Sequence, residues 1–278
     1  CKLLLEAGAL PVAIDRQART PLHDATEARR HDVVALLLEG RAAVDADDEQ
    51  GLTSLHIAAC NGDVPSCELL LEARANLEAV DLRKGTPLRY GINDEGREAV
   101  ALLLQRQASV HAGDQRGLTC LHLAVRQGDA ALCWQLLEAR ADADAQDSNN
   151  SRPMHVATFF AKTEVAALLL EWKASVNAKD ADGESPLHVV AKQGSSEFCT
   201  WLVASGAELD VRDVERRTPL HVAAQSHKEE IVAVLLKKHM EANAADARGT
   251  TPLHIAAGIG AVDICERLLA ADAELDKQ

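Results

Sequence analysis

Apolar residues recur along this chain at fixed places. In residues 246–278, "DARGTTPLHIAAGIGAVDICERLLAADAELDKQ", Leu253, Ala256 and Ala257 share one helical face, and Ile264, Cys265, Leu268 and Leu269 share another. The spacing predicts two short helices parted by Gly260. Asp246 and Gly249 stand at the first and fourth places of a four-residue turn ahead of them, where a short acceptor side chain and a permissive backbone are favoured. Thr251 is placed to cap the first helix, and Pro252 to open it where a missing N–H costs nothing.

The same layout returns throughout. The paired apolar slot of the second helix runs from Leu37-Leu38 through Leu103-Leu104 to Leu202-Val203. Thr20-Pro21-Leu22-His23, Ser185-Pro186-Leu187-His188, Thr218-Pro219-Leu220-His221 and Thr251-Pro252-Leu253-His254 are close copies of one tetrapeptide. Thr53-Ser54-Leu55-His56, Thr86-Pro87-Leu88-Arg89, Thr119-Cys120-Leu121-His122 and Arg152-Pro153-Met154-His155 are looser ones. Every step between them is 33 residues, without insertion or deletion. Asp15, Asp48, Asp81, Asp114, Asp147, Asp180, Asp213 and Asp246 open the turn each time. The chain therefore reads as a repeat array, in which neighbours supply one another's core.

This combination resembles the ankyrin repeat family over the whole chain. The resemblance implies a mainly α solenoid of stacked antiparallel helix pairs with protruding β-hairpin loops, curved so that loops and first helices line a concave face. On this reading residues 1–278 form a single array: a partial repeat at 1–14, then full repeats at 15–47, 48–80, 81–113, 114–146, 147–179, 180–212, 213–245 and 246–278. The chain begins within a repeat and without Met, and neither end has a polar cap, so the array is expected to continue beyond it. Seven of the eleven histidines fall in the fourth motif slot, where the resemblance implies a hydrogen bond holding loop to helix. His31, His111, His227 and His239 lie elsewhere, with no spacing suited to a metal or a catalytic pair.

A longer period runs inside the array. Gly51, Gly117, Gly183 and Gly249 fill the turn slot in alternate repeats, against Ala18, Lys84, Asn150 and Arg216 in the others. Gly62, Gly128, Gly194 and Gly260 end the first helix in those same repeats. Cys1, Cys67, Cys133, Cys199 and Cys265 also stand 66 residues apart, in a slot that otherwise holds Val34, Val100, Ala166 or Val232. The unit of expansion was thus a pair of repeats, and alternate interhelix turns are expected to differ in strain. At the end of the second helix the family usually has Gly, as at Gly8 and Gly206; Arg41, Arg74, Gln107, Arg140, Lys173, His239 and Asp272 stand there instead, expected as solvated loop residues.

Composition narrows the function. With 47% hydrophobic but only 3% aromatic residues, the core must be Ala, Leu and Val. A net charge of -14 argues against a general nucleic-acid binder, which neutralises phosphates with Lys and Arg. No apolar run is long enough to span a bilayer. The seven cysteines form no CxxC and read as reduced, structural residues of a cytoplasmic or nuclear protein. No P-loop, GxGxxG, GxSxG or HExxH occurs, and "DADAQD" at 142–147 lacks the Gly and Glu of a calcium loop. No catalytic residue, metal or cofactor is expected.

The expectation is a non-catalytic scaffold that binds a protein partner on the concave face; the alternative is a regulatory or targeting segment of a larger enzyme or channel. In proteins of this kind the hairpin tips and the exposed end of the first helix do the binding. Arg16, Arg19, Arg83 and Arg116 make the early tips basic, Asp182 and Glu184 add acid, and Leu52, Leu118 and Val214 are apolar. Phe159-Phe160 stands out against Glu27-Ala28, Asn93-Asp94 or Gln225-Ser226 in the same slots. Phe159, Phe160, Arg116, Leu118, Arg126 and Lys192 are therefore the candidate binding residues. The alternative for the two rings is that they fold back between helices. Trp134, Trp172 and Trp201 are expected to pack on or near the second helices. Asparagine hydroxylation, known in this family, would fall on Asn177 or Asn243.

Overall fold

The computed structural model describes residues 13–274; the partial repeat proposed at 1–14 and its Cys1 lie almost wholly outside them. Eight first helices alternate with eight second helices, running from Pro21–Glu27 and His31–Glu39 to Pro252–Gly258 and Val262–Ala270. The chain divides into two compact units, one of residues 1–124 with 131–142 and the other of 125–130 with 143–278. The first holds the helix pairs of 15–47, 48–80 and 81–113, and the second those of 147–179 through 246–278.

Each repeat opens with its Asp. The carboxylate of Asp48 accepts the N–H groups of Gln50 at 2.8 Å and Leu52 at 2.9 Å, while Asp48 N–H donates to the Leu52 carbonyl. Asp147 does the same for Asn149 and Ser151. Because one side chain satisfies these donors, the protruding loops need no ladder: among the described residues no strand forms, only isolated bridges at Asp47–Thr53 and Gly113–Thr119. Single backbone bonds tie tip to tip within each unit, as Leu82 N–H to Gln50 C=O at 3.0 Å and Val214 N–H to Asp182 C=O at 3.0 Å.

The motif histidines join neighbouring repeats. The Thr218 N–H donates to His221 Nδ1 at 3.1 Å, and His221 Nε2 lies 3.0 Å from the Thr250 carbonyl. The first bond makes Nδ1 an acceptor, so Nε2 carries the proton and the ring is neutral. His23, His56, His155 and His188 repeat the arrangement, each reaching a carbonyl 29 residues on. Burial holds His56, His155, His188 and His221 below the usual histidine range, partly countered by the carbonyl each one meets.

Stacking explains the apolar slots. In each unit the leading member of the second-helix pair is buried, as Leu37, Leu70 and Leu103 in one and Leu169, Leu202, Leu235 and Leu268 in the other. Its partner is only half covered at Leu71 or Leu170. Each buried leucine contributes roughly 1.5–3 kcal/mol. Cys67, Cys133 and Cys199 are fully buried in the slot that Val34, Val100, Ala166 and Val232 share, as small apolar fillers. Burial pushes the Cys67 and Cys199 thiols up to about 12, which leaves them protonated and unreactive. In 246–278 the expected burial of Ala257 and Leu269 fails: both are exposed, whereas Ala224 in the same slot one repeat earlier is fully buried by the repeat that follows it. Trp201 packs against Phe198 at 5.2 Å, whereas Trp134 and Trp172 are 47% and 39% exposed, so each leaves part of its ring in solvent.

Two slots in every repeat take positive φ, and a third does so in all but 81–113. The turn slot does so whether Gly fills it or Ala18, Lys84, Asn150 or Arg216 does. The slot after the second helix does too, at Arg41, Arg74, Gln107, Arg140, Lys173, Gly206, His239 and Asp272, so all of these but Gly206 carry backbone strain as well as being loop residues. Between the helices, Arg29, Ala161 and His227 sit at φ 50–54°, where alternate repeats have Gly62, Gly128, Gly194 and Gly260.

Residues 81–113 depart from the plan. Their first helix, Pro87–Tyr90, is a single turn. Arg89 stands in for histidine: Nη1 donates to the Leu118 carbonyl at 3.0 Å, the same 29-residue reach, and Nη2 pairs with Asp114 at 2.6 Å. The chain then closes on itself, such that a Cβ at Gly96 would lie 2.2 Å from the Gly91 carbonyl oxygen. Asn93 holds this loop. Its amide donates to the carbonyls of Cys60 (2.9 Å) and Tyr90 (2.8 Å), and its oxygen accepts from Glu95 and Gly96 N–H.

Candidate functional site

Within the second unit, the hairpins and first helices of 147–179 and 180–212 enclose a cleft of about 480 Å³. Its floor includes buried His155, whose Nε2 meets the Glu184 carbonyl at 3.1 Å. Ala181 N–H bonds Asn149 C=O at 2.8 Å along the tips, so both walls are fixed to one another by backbone and ring hydrogen bonds.

One wall is aromatic. Phe159 ends the helix Pro153–Phe159 and Phe160 is its C-cap. The rings meet edge-to-face with centroids 5.0 Å apart. Phe159 is 52% and Phe160 43% exposed, so the rings do not fold back into the core; the buried phenylalanine is Phe198. The reason is local. Thr158, one residue earlier, occupies the core side of the helix and returns its hydroxyl to the Met154 carbonyl at 2.8 Å, and Phe159 and Phe160 continue the turn outward.

The other walls are charged. Asp147, Asp180, Asp182 and Glu184 line the cleft against a single cation, Lys192. Asp147 and Asp180 each use one carboxylate oxygen on their own turns. Glu184 is half-buried; desolvation holds its carboxyl above the usual range, although Lys192 and Arg217, 4.0 Å away, pull it back.

The sequence-derived candidates separate on this geometry. Phe159, Phe160 and Lys192 line the cleft. Arg126 is exposed in the second unit but is not among the lining residues. Arg116 and Leu118 belong to the first unit, Arg116 exposed and Leu118 half-buried, its carbonyl held by Arg89. The acidic lining was read in the sequence only as turn residues and tip charges; the 33-residue register, which places Asp147 and Asn149 beside Asp180 and Asp182, was the signal that could have assembled it. Asn177 and Asn243 use their amides between repeats: each accepts a backbone N–H, from Glu208 and Glu274, and donates to the Gly206 or Asp272 carbonyl. Among the described residues no group of three His, Cys, Asp or Glu side chains is arranged to hold a metal ion, and no helix is long and apolar enough to cross a membrane.

Paired helices stacked through a capped Thr-Pro-Leu-His, with Asp turns between pairs, define a repeat protein whose side chains present a surface. The chain belongs to the ankyrin-repeat family. The description "Ankyrin repeats (3 copies)" matches residues 41–114, 88–180 and 187–278. "Ankyrin repeats (many copies)" matches 160–203, and "Ankyrin repeat" 18–49. Proteins of this family are generally non-catalytic modules of protein–protein interaction. No curated protein matches the chain.

Proposed function

We propose that this chain is a non-catalytic binding module, one array over residues 1–278, which holds a partner protein on the hairpin tips and first helices, the side the family's fold makes concave. Phe159 and Phe160 are its anchors. The observation that carries this reading is their exposure: two of three phenylalanines stand in water where every other repeat has a smaller or polar pair. Burying each ring on a partner is worth roughly 1.5–3 kcal/mol, and aromatic anchors are what interface centres are enriched in. The buried, protonated thiols support a reducing compartment, cytoplasmic or nuclear.

The test is quantitative affinity capture from lysate with the wild-type chain and with a Phe159→Ala, Phe160→Ala variant whose unfolding temperature is matched. Specific partners are expected to vanish with the rings. Retention of the same partners would move the binding site away from the cleft.

A further inference from the structure

We infer that the cleft between 147–179 and 180–212 takes an arginine side chain from a basic, extended segment of the partner, with an apolar residue beside it against the phenylalanines. This deepens, and rests on, the reading of Phe159 and Phe160 as anchors.

The cleft's chemistry selects the occupant. Four carboxylates face it against the one ammonium of Lys192, and the whole chain carries -14, so an anionic segment would meet repulsion at the site and at long range. A purely apolar segment would cover Phe159 and Phe160 but would strip water from Asp182 and Glu184 without replacing it, which is costly for carboxylates. A cation satisfies both walls. Guanidinium fits better than ammonium: its planar fork can pair a carboxylate through two parallel bonds, and its face stacks on an aromatic ring. Carboxylates and rings line one cleft of about 480 Å³, room for such a side chain. The walls are already tied together by His155 to Glu184 and by Ala181 to Asn149, so little ordering is required on binding. Lys192 and Arg217 are the groups an incoming cation must compete with, and Arg217 is itself engaged with Asp213 at 2.7 Å.

The experiment is a selection of random twelve-residue peptides displayed on phage against the immobilised wild-type chain. The recovered peptides are then synthesised and titrated by fluorescence anisotropy. Asp182→Asn with Glu184→Gln tests the charge. Both changes are isosteric, and the bonds these residues make to Val214 and His155 run through backbone carbonyls, so folding is expected to persist. Enriched peptides are expected to carry arginine next to an apolar residue, to bind the neutralised variant about tenfold more weakly, and to lose affinity as salt rises. Replacing the peptide's arginine by citrulline should cost a similar factor. Recovery of no peptide, of peptides without basic residues, or of basic peptides that bind the neutralised variant equally well overturns the inference. Peptides that are neutral yet lost on Phe159→Ala, Phe160→Ala would leave the anchors in place and remove only the charge preference. Peptides indifferent to both variants would remove the site altogether.

Discussion

Asn93 and Phe159 occupy the same slot two repeats apart, and they do opposite things. In 81–113 the side chain turns inward and makes four hydrogen bonds that close an irregular loop on the preceding repeat. In 147–179 the helix keeps its full length and the side chain stands in solvent beside a cleft. The end of the first helix is thus not needed for stacking. A residue there can be given to architecture or to display, and the stack survives either choice because the histidine slot, as His155 or Arg89, still bridges to the next repeat.

Removing Asn93 is the largest break in this comparison. Asn93→Ala removes four side-chain hydrogen bonds from a tight loop, and only the Gly96 N–H keeps a backbone acceptor, the carbonyl of residue 93 at 3.3 Å. A loss of about 2 kcal/mol is expected in urea unfolding. Phe159→Ala in the same slot, which removes a half-covered ring and its edge-to-face contact with Phe160, should cost about 1 kcal/mol. Equal effects at the two positions would dissolve the distinction between sealing and display.

The second test uses acid. His56, His155, His188 and His221 are held neutral, with folded pKa values below the ordinary 6.5. The unfolded chain therefore binds more protons, and stability is full above pH 6.5 and falls as pH drops below it. Glu184 acts with the opposite sign, since its folded pKa is raised, but only as the carboxylate range is approached. The urea midpoint should fall between pH 7.5 and 5.5, by less per histidine than Asn93→Ala costs. In 114–146 the bridge comes from Arg89 and not from one of these four histidines, so hydrogen exchange at Leu118 should respond less than at Gly85, which His56 holds. A midpoint that is flat or rises over that interval would contradict the neutral-ring geometry.

The regular parts of this fold could be read in the sequence because each is local and returns, with variations, from repeat to repeat. The Asp turn, the Thr cap with Pro after it, and the leucine pair need only their neighbours within a few residues. What escaped reading depends on groups a full repeat away. Arg89 stands in the histidine slot of a looser motif copy, and its guanidinium meets Leu118 and Asp114, 29 and 25 positions on. Asn93 stands in the sequence only as one polar member of the slot that Phe159 fills, and its partner Cys60 is 33 positions back. The direction of Phe159 and Phe160 was undecided because periodicity in a seven-residue helix places its last residue and its cap on neither face; the core side was already filled by Thr158. Trp134 and Trp172 are only partly covered for a related reason: a large apolar ring at a slot that is small elsewhere outgrows the space its neighbours leave.

The smallest effect expected sits next to the phenylalanines. Ala161 follows Phe160 at φ 50°, a left-handed conformation that costs a side-chain-bearing residue about 1 kcal/mol or more, whereas Gly fills the slot in alternate repeats. Ala161→Gly relieves that strain, but glycine also loosens the unfolded chain, which returns roughly half the gain. The net expectation is a stabilisation of about 0.5 kcal/mol, or a rise of about 1–2 °C in unfolding temperature. Ala161 is exposed, so no buried contact is lost to confuse the sign. Peptide affinity should not change, since the rings are placed by the helix before them and not by the turn after. If instead the substitution weakens binding while it stabilises the fold, the strained alanine is part of how Phe160 is held toward the cleft, and the displayed end of the helix depends on backbone that its glycine-bearing counterparts do not have.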